Sequence, residues 1–170
     1  MTPMPVQQPM GPGGGGAASP RSNMLPPNIF DPRTDGSDYY WYVTDPGALN
    51  AGANGNSQIQ IDAGTDFYWI ATTIRPDIAG AAVNQGNIPS PNVLVTINDT
   101  GTSRNLMNGA LPLSELAGDG REPYRLVRPR LFRANSVINF TYVSYEAVVN
   151  YAHLYVVMHG YRRLVTPPGG

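Results

Sequence analysis

Beyond its first 35 residues, the chain is a succession of short β-forming runs broken by turn residues, with almost nothing repeating at helical period. The spacing predicts strands over 39–44, 57–62, 67–74, 93–98, 104–107, 124–132, 137–145 and 151–164. These runs are rich in Tyr, Trp, Phe, Val, Ile and Thr, side chains that fit a pleated, half-buried surface. Between them stand Asp45-Pro46-Gly47, Ala63-Gly64, Asn98-Asp99-Thr100-Gly101 and Gly118-Asp119-Gly120, all turn chemistry. Residues 112–117 predict one short helical turn, capped by Ser114 or the residues before it. Strands so spaced, without intervening helices, predict an all-β fold: an antiparallel β-sandwich of jelly-roll type with about eight strands.

The leading segment has the opposite character. The first 32 residues hold eight Pro and five Gly. Pro blocks helix and sheet interiors, and there are too few large apolar groups to offset the entropy of ordering the segment. The chain therefore divides into an extended Gly/Pro arm over 1–35, a β-sandwich domain over 36–166 and a flexible tail over 167–170. Within the arm, Pro26, Pro27, Ile29 and Phe30 are the candidate partner contacts.

Charge excludes some function classes and suggests others. Net charge is −1, so indiscriminate attraction to nucleic acid or anionic lipid is not expected. No apolar run approaches the ~20 residues of a membrane-spanning helix, and no basic-then-apolar opening predicts a cleaved signal peptide. There is no Cys and no Lys, which removes thiol and Schiff-base chemistry. All eleven basic residues are Arg, whose planar fork suits desolvated interfaces. Residues 31–99 carry eight acids against Arg33 and Arg75, a net of −6, while residues 104–133 carry a net of +3. The two halves are expected to pair, within the fold first and between copies second.

Two stretches carry candidate site residues. In the last strand, Ala152, Leu154, Val156 and Met158 form an apolar face expected in the core. The opposite face carries Tyr151, His153, Tyr155, Val157, His159 and Tyr161, each Tyr or His with an apolar body and a polar tip. That is the character of a surface another protein covers. In the preceding strand Ile138, Phe140 and Tyr142 share an inward face. The densest basic feature holds Arg121, Arg125, Arg128, Arg130 and Arg133. Alternation places Arg128 and Arg130 on one face, with Arg125 and Arg133 on the other, and Pro129 suits an edge strand or a bulge. Sparse aromatics make it a poor nucleic-acid groove and a better protein-binding patch.

Catalytic signatures are missing from the pattern. The two His lie six apart along one strand, too far to share a metal, and no nucleophile elbow accompanies them. Gly11 to Gly16 lacks the Lys and the flanking strand and helix of a phosphate loop. Asp31 to Asp38 departs from calcium-loop spacing. No enzyme activity, cofactor or metal is expected.

The stretch from Gly118 through Arg121-Glu-Pro-Tyr-Arg-Leu-Val-Arg-Pro-Arg-Leu-Phe-Arg133 to Ser136, a strand after it and a closing Val157-Met-His-Gly-Tyr-Arg162 resemble small virion structural proteins of tailed bacteriophages. Phe67-Tyr-Trp-Ile-Ala-Thr-Thr73 and Val93-Leu-Val-Thr-Ile-Asn-Asp-Thr-Gly101 fit the same likeness. Among such proteins, jelly-roll capsid cement or decoration proteins match best in size and β content. The resemblance implies a non-enzymatic virion component, a homotrimer or other homo-oligomer seated on a major capsid protein. An extended terminus would cross onto neighbouring subunits, and no nucleic acid or membrane would be bound. It implies assembly in the bacterial host cytoplasm and residence in the virion. Alternatives are a minor head–tail connector, collar or tail protein, or a carbohydrate- or receptor-binding β-module using Tyr39, Tyr40, Trp41 and Trp69.

Overall fold

The computed structural model describes residues 37–80, 90–118 and 122–165. The arm, with Pro26, Pro27, Ile29 and Phe30, lies outside the described residues, as do Arg121 and the tail over 167–170. The elements are β1 (Ser37–Thr44), β2 (Asn54–Gln60), β3 (Thr65–Ile78), β4 (Val93–Asp99), β5 (Arg104–Asn105), β6 (Leu111–Pro112), α1 (Leu113–Leu116), β7 (Tyr124–Phe132), β8 (Val137–Ser144) and β9 (Tyr151–Leu164).

They form an all-β sandwich of two antiparallel sheets. One sheet has the order β1-β9-β3-β7 and the other β2-β8-β4-β5, with β6 also beside β4. First therefore pairs with last, second with next to last, third with β7 and fourth with β5. All eight expected strands form. The two-residue β6 is additional, placed by its register against Leu94 and Val95 of β4 rather than by any strand propensity of its own. The helical turn forms over Leu113–Leu116, but Ser114 does not cap it: the N-cap position is Pro112 and no side-chain cap bond is made.

Alternation along each strand builds the core. Phe67, Phe132, Leu154, Val156 and Met158 of the first sheet face Val95, Ile97, Ile138, Phe140 and Tyr142 of the second, all essentially inaccessible to solvent. Each such side chain stabilises the fold by roughly 1.5–3 kcal/mol relative to exposure. Leu49, Ile61 and Tyr151 fill the gap from the connections and from the start of β9. The Ile138, Phe140 and Tyr142 face points inward as expected, and the Tyr142 hydroxyl lies 3.1 Å from Ser57 Oγ.

Bulges set which side chains leave the core. In the pairing of β3 with β9, Asp77 faces His153 and Ile78 faces Tyr151, so Ala152 is an extra residue. That slip turns Tyr151 inward. It is 1% exposed, and its hydroxyl donates to Glu146 Oε1 at 2.5 Å. The expectation that Tyr151 belongs to the outer face is thus corrected, and Ala152 is only partly buried. A second bulge between Trp69 and Ala71 shifts β3 against both β7 and β9.

Candidate interaction surface

The outer face of the first sheet is laid out by register. Tyr39 lies opposite Tyr161, which lies opposite Tyr68 on the other side. The next row is Trp41, His159 and Ala71, and the next is Val43, Val157 and Thr73. Tyr155 opposite Arg75 and His153 opposite Asp77 end the series. Because Tyr42 and Thr44 are buried, alternation turns Tyr39, Trp41 and Val43 outward, where they are 45%, 52% and 57% exposed.

The aromatic rings are fixed by one another. Tyr39 meets Trp41 edge to face with centroids 4.8 Å apart, and meets Tyr161 at 5.4 Å and 77°. His159 stands between two hydroxyls: Thr73 Oγ1 is 2.9 Å from Nε2 and Tyr39 Oη is 3.3 Å from Nδ1. Burial lowers the His159 pKa, so the ring is neutral at pH 7. The aromatic patch on β1 and β9 therefore carries no formal charge, while Arg125, opposite Ala71, and Arg75, opposite Tyr155, border it on the same face. At its end, His153 stacks on Tyr155 at 5.3 Å and its Nδ1 lies 2.7 Å from Asp45 Oδ2.

The structure thus gathers His153, Tyr155, His159 and Tyr161 on one surface and removes Tyr151 from it. Tyr39 and Trp41, named in the sequence as sugar-stacking candidates, belong to the same surface. Two other aromatics do not. Trp69 is 3% exposed, its indole N–H donating to Ala71 O and Thr72 Oγ1. Tyr40 packs on Tyr42 and carries the Arg162 guanidinium over its ring at 4.5 Å. A run of four aromatics from 39 to 42 hides its sidedness in sequence, since both faces look alike. The buried Thr44 at its end is the one polarity signal, and it misleads.

The described arginines of the basic stretch divide between settings, with only Arg128 and Arg130 staying together. Arg133 donates to Asp66 at 2.9 Å, joining the basic half of the chain to the acidic half. Arg162 sits 3.7 Å from Asp38 and 3.8 Å from Asp62. Arg125 lies opposite Ala71 and is exposed. Arg128 and Arg130 fall at the open seam between the sheets, where β7 is an edge strand as Pro129 predicts. Among the described residues, no group of three His, Asp or Glu side chains is placed to hold a metal ion.

No protein-family model matches this sequence, and a search of curated proteins returned no significant match.

Proposed function

We propose that this chain is a non-enzymatic virion structural protein, a capsid cement or decoration subunit that works by association. The reading joins the sequence resemblance to one observation, the neutral aromatic patch of Tyr39, Trp41, Val43, Val157, His159 and Tyr161 on the outer face of the β1-β9-β3-β7 sheet. The strand order, pairing first with last and second with next to last, supports a jelly roll, a fold of virion subunits. A second copy of the chain is the occupant proposed for the face. Tyr hydroxyls both donate and accept, and the aromatic patch itself is neutral, with Arg75 and Arg125 only at its margin. The arm then crosses onto neighbouring subunits, and tethering raises the effective concentration of every contact.

Trp41→Glu tests this. In the full chain it is expected to weaken self-association ~30-fold or more, the effect of losing about 2 kcal/mol at an interface anchor. The domain is expected to stay folded, losing about 1 kcal/mol with the edge-to-face contact on Tyr39. A wild-type chain that sediments as a monomer at tens of micromolar contradicts the reading. A minor neck or tail protein is distinguished by copy number per particle, a dozen or fewer rather than hundreds. A glycan-binding module would use the same Tyr39 and Trp41, and a specific glycan bound by the wild type and lost in Trp41→Glu would favour it.

A further inference from the structure

We infer that Arg104, Arg128 and Arg130 form a binding site for the carboxylates of an acidic segment on another protein. This site lies apart from the aromatic face and does not depend on it. The three arginines line one shallow depression of about 420 Å³, together with Pro129, Leu131, Thr102 and Asp99. It opens where the edges of the two sheets come together, β7 from one and the turn and short strand after β4 from the other.

The direction of the side chains follows from β7. Phe132 points into the core and is fully buried; two and four residues earlier, Arg130 and Arg128 share its parity. The strand leaves the sandwich in that direction, so the inward row grades from buried Phe132 to half-buried Arg130 to exposed Arg128. Arg130 faces Trp69 across the ladder, and its Nε is buried with no hydrogen-bond partner among the described residues. A buried, charged donor left unpaired is costly, and an oxyanion seated beside the guanidinium would relieve that cost.

The local acid does not neutralise the three. Asp99 is 1% exposed, with Oδ1 accepting from Gly101 N–H at 3.0 Å and Oδ2 from Thr102 Oγ1 at 2.7 Å. Arg133 and Arg162 have carboxylate neighbours within the chain; Arg104, Arg128 and Arg130 make no ion pair among the described residues. Forked guanidinium groups match a carboxylate with two parallel bonds. Asp99 in the wall lowers the local potential, which disfavours a dianionic phosphate more than a singly charged carboxylate. Apolar Pro129 and Leu131 suit a polypeptide neighbour. The competing account is that inward charges on an edge strand only keep β7 from pairing with another sheet. That role needs no ligand and predicts no binding.

Binding to the full-length chain is measured by titration with a glutamate-rich decapeptide and, separately, with a single-stranded oligonucleotide of equal charge. The wild type is expected to bind the peptide in preference to the oligonucleotide. Arg128→Gln with Arg130→Met is expected to weaken the peptide about tenfold or more. Met keeps the apolar stem and removes the unpaired donor, so the fold is expected to hold; Arg104→Gln, on an exposed strand, gives the same readout without touching the seam's interior. Tighter binding of the oligonucleotide, or peptide binding unchanged in both variants, or no binding beyond that of sodium chloride at matched ionic strength, overturns the inference.

Discussion

Gly160→Ala is expected to unfold the domain, at a cost above about 4 kcal/mol, read from urea or thermal melting. Gly160 lies within β9, opposite Tyr40 on one side and Trp69 on the other. A Cβ there falls 2.1 Å from the Tyr68 carbonyl oxygen and 2.6 Å from Cε2 of the Phe67 ring. The ring cannot retreat, because Tyr42 meets it edge to face at 4.8 Å and Phe67 is fully buried. The oxygen cannot retreat either, since its strand, β3, is paired on both sides, by β9 and β7. Trimming the ring with Phe67→Ala is therefore not expected to rescue the variant. Gly64→Ala is the control. Nothing lies within 4 Å of its added carbon, and its melting is expected within about 0.5 kcal/mol of wild type. A Gly160→Ala protein as stable as that control would mean the register of β9 against β3 is wrong.

Asp45→Ala is expected to destabilise the domain by about 2–3 kcal/mol and to flatten its acid dependence. Asp45 follows directly on β1 and ties its end to β9: Oδ1 accepts from Gly47 N–H at 2.9 Å and from Leu154 N–H at 3.0 Å, while Oδ2 lies 2.7 Å from His153 Nδ1. Burial by itself pushes the carboxyl up, but the bonds from Leu154, His153 and Gly47 outweigh it and hold the pKa below 3.8. The unfolded chain therefore takes up the proton first as pH falls. The stabilisation is complete above the unfolded value near 3.8 and is lost as pH drops through the lower folded value. Melting followed from pH 6 to pH 2 is expected to show a steeper loss for the wild type than for Asp45→Ala. Parallel curves would remove Asp45 from its assigned role.

Much of this architecture is written in local residue type. Runs of β-branched and aromatic residues between turn formers locate the strands, and β7 and β9 keep the bounds read from the sequence. What local pattern cannot carry is pairing. The stretch Asn54-Gly55-Asn56 has poor strand propensity, yet it is strand because Val143, Tyr142 and Thr141 of β8 lie opposite. Gly55 also lets Pro46 and Leu49 pack close, since an added carbon would lie 3.0 Å from Pro46 Cβ and 3.2 Å from Leu49 Cδ1. Tyr151 shows the other limit. Strict alternation puts it with His153, but one bulged residue, Ala152, reverses it, and no local signal distinguishes that position. The arginines were legible as a patch and not as separate roles. Arg133 has an acid 67 residues away in sequence, whereas Arg130 has a Trp across the ladder. The parity of Arg130 with Phe132 was the available clue to its inward aim.

Hydroxyl-radical footprinting of the full chain, from dilute monomer to the assembled state, tests whether the aromatic sheet face is where subunits meet. Tyr39 and Trp41 are expected to lose reactivity on assembly, while Tyr145, 60% exposed and outside that sheet, keeps its own. Equal modification of Trp41 in the free and assembled protein would contradict the account.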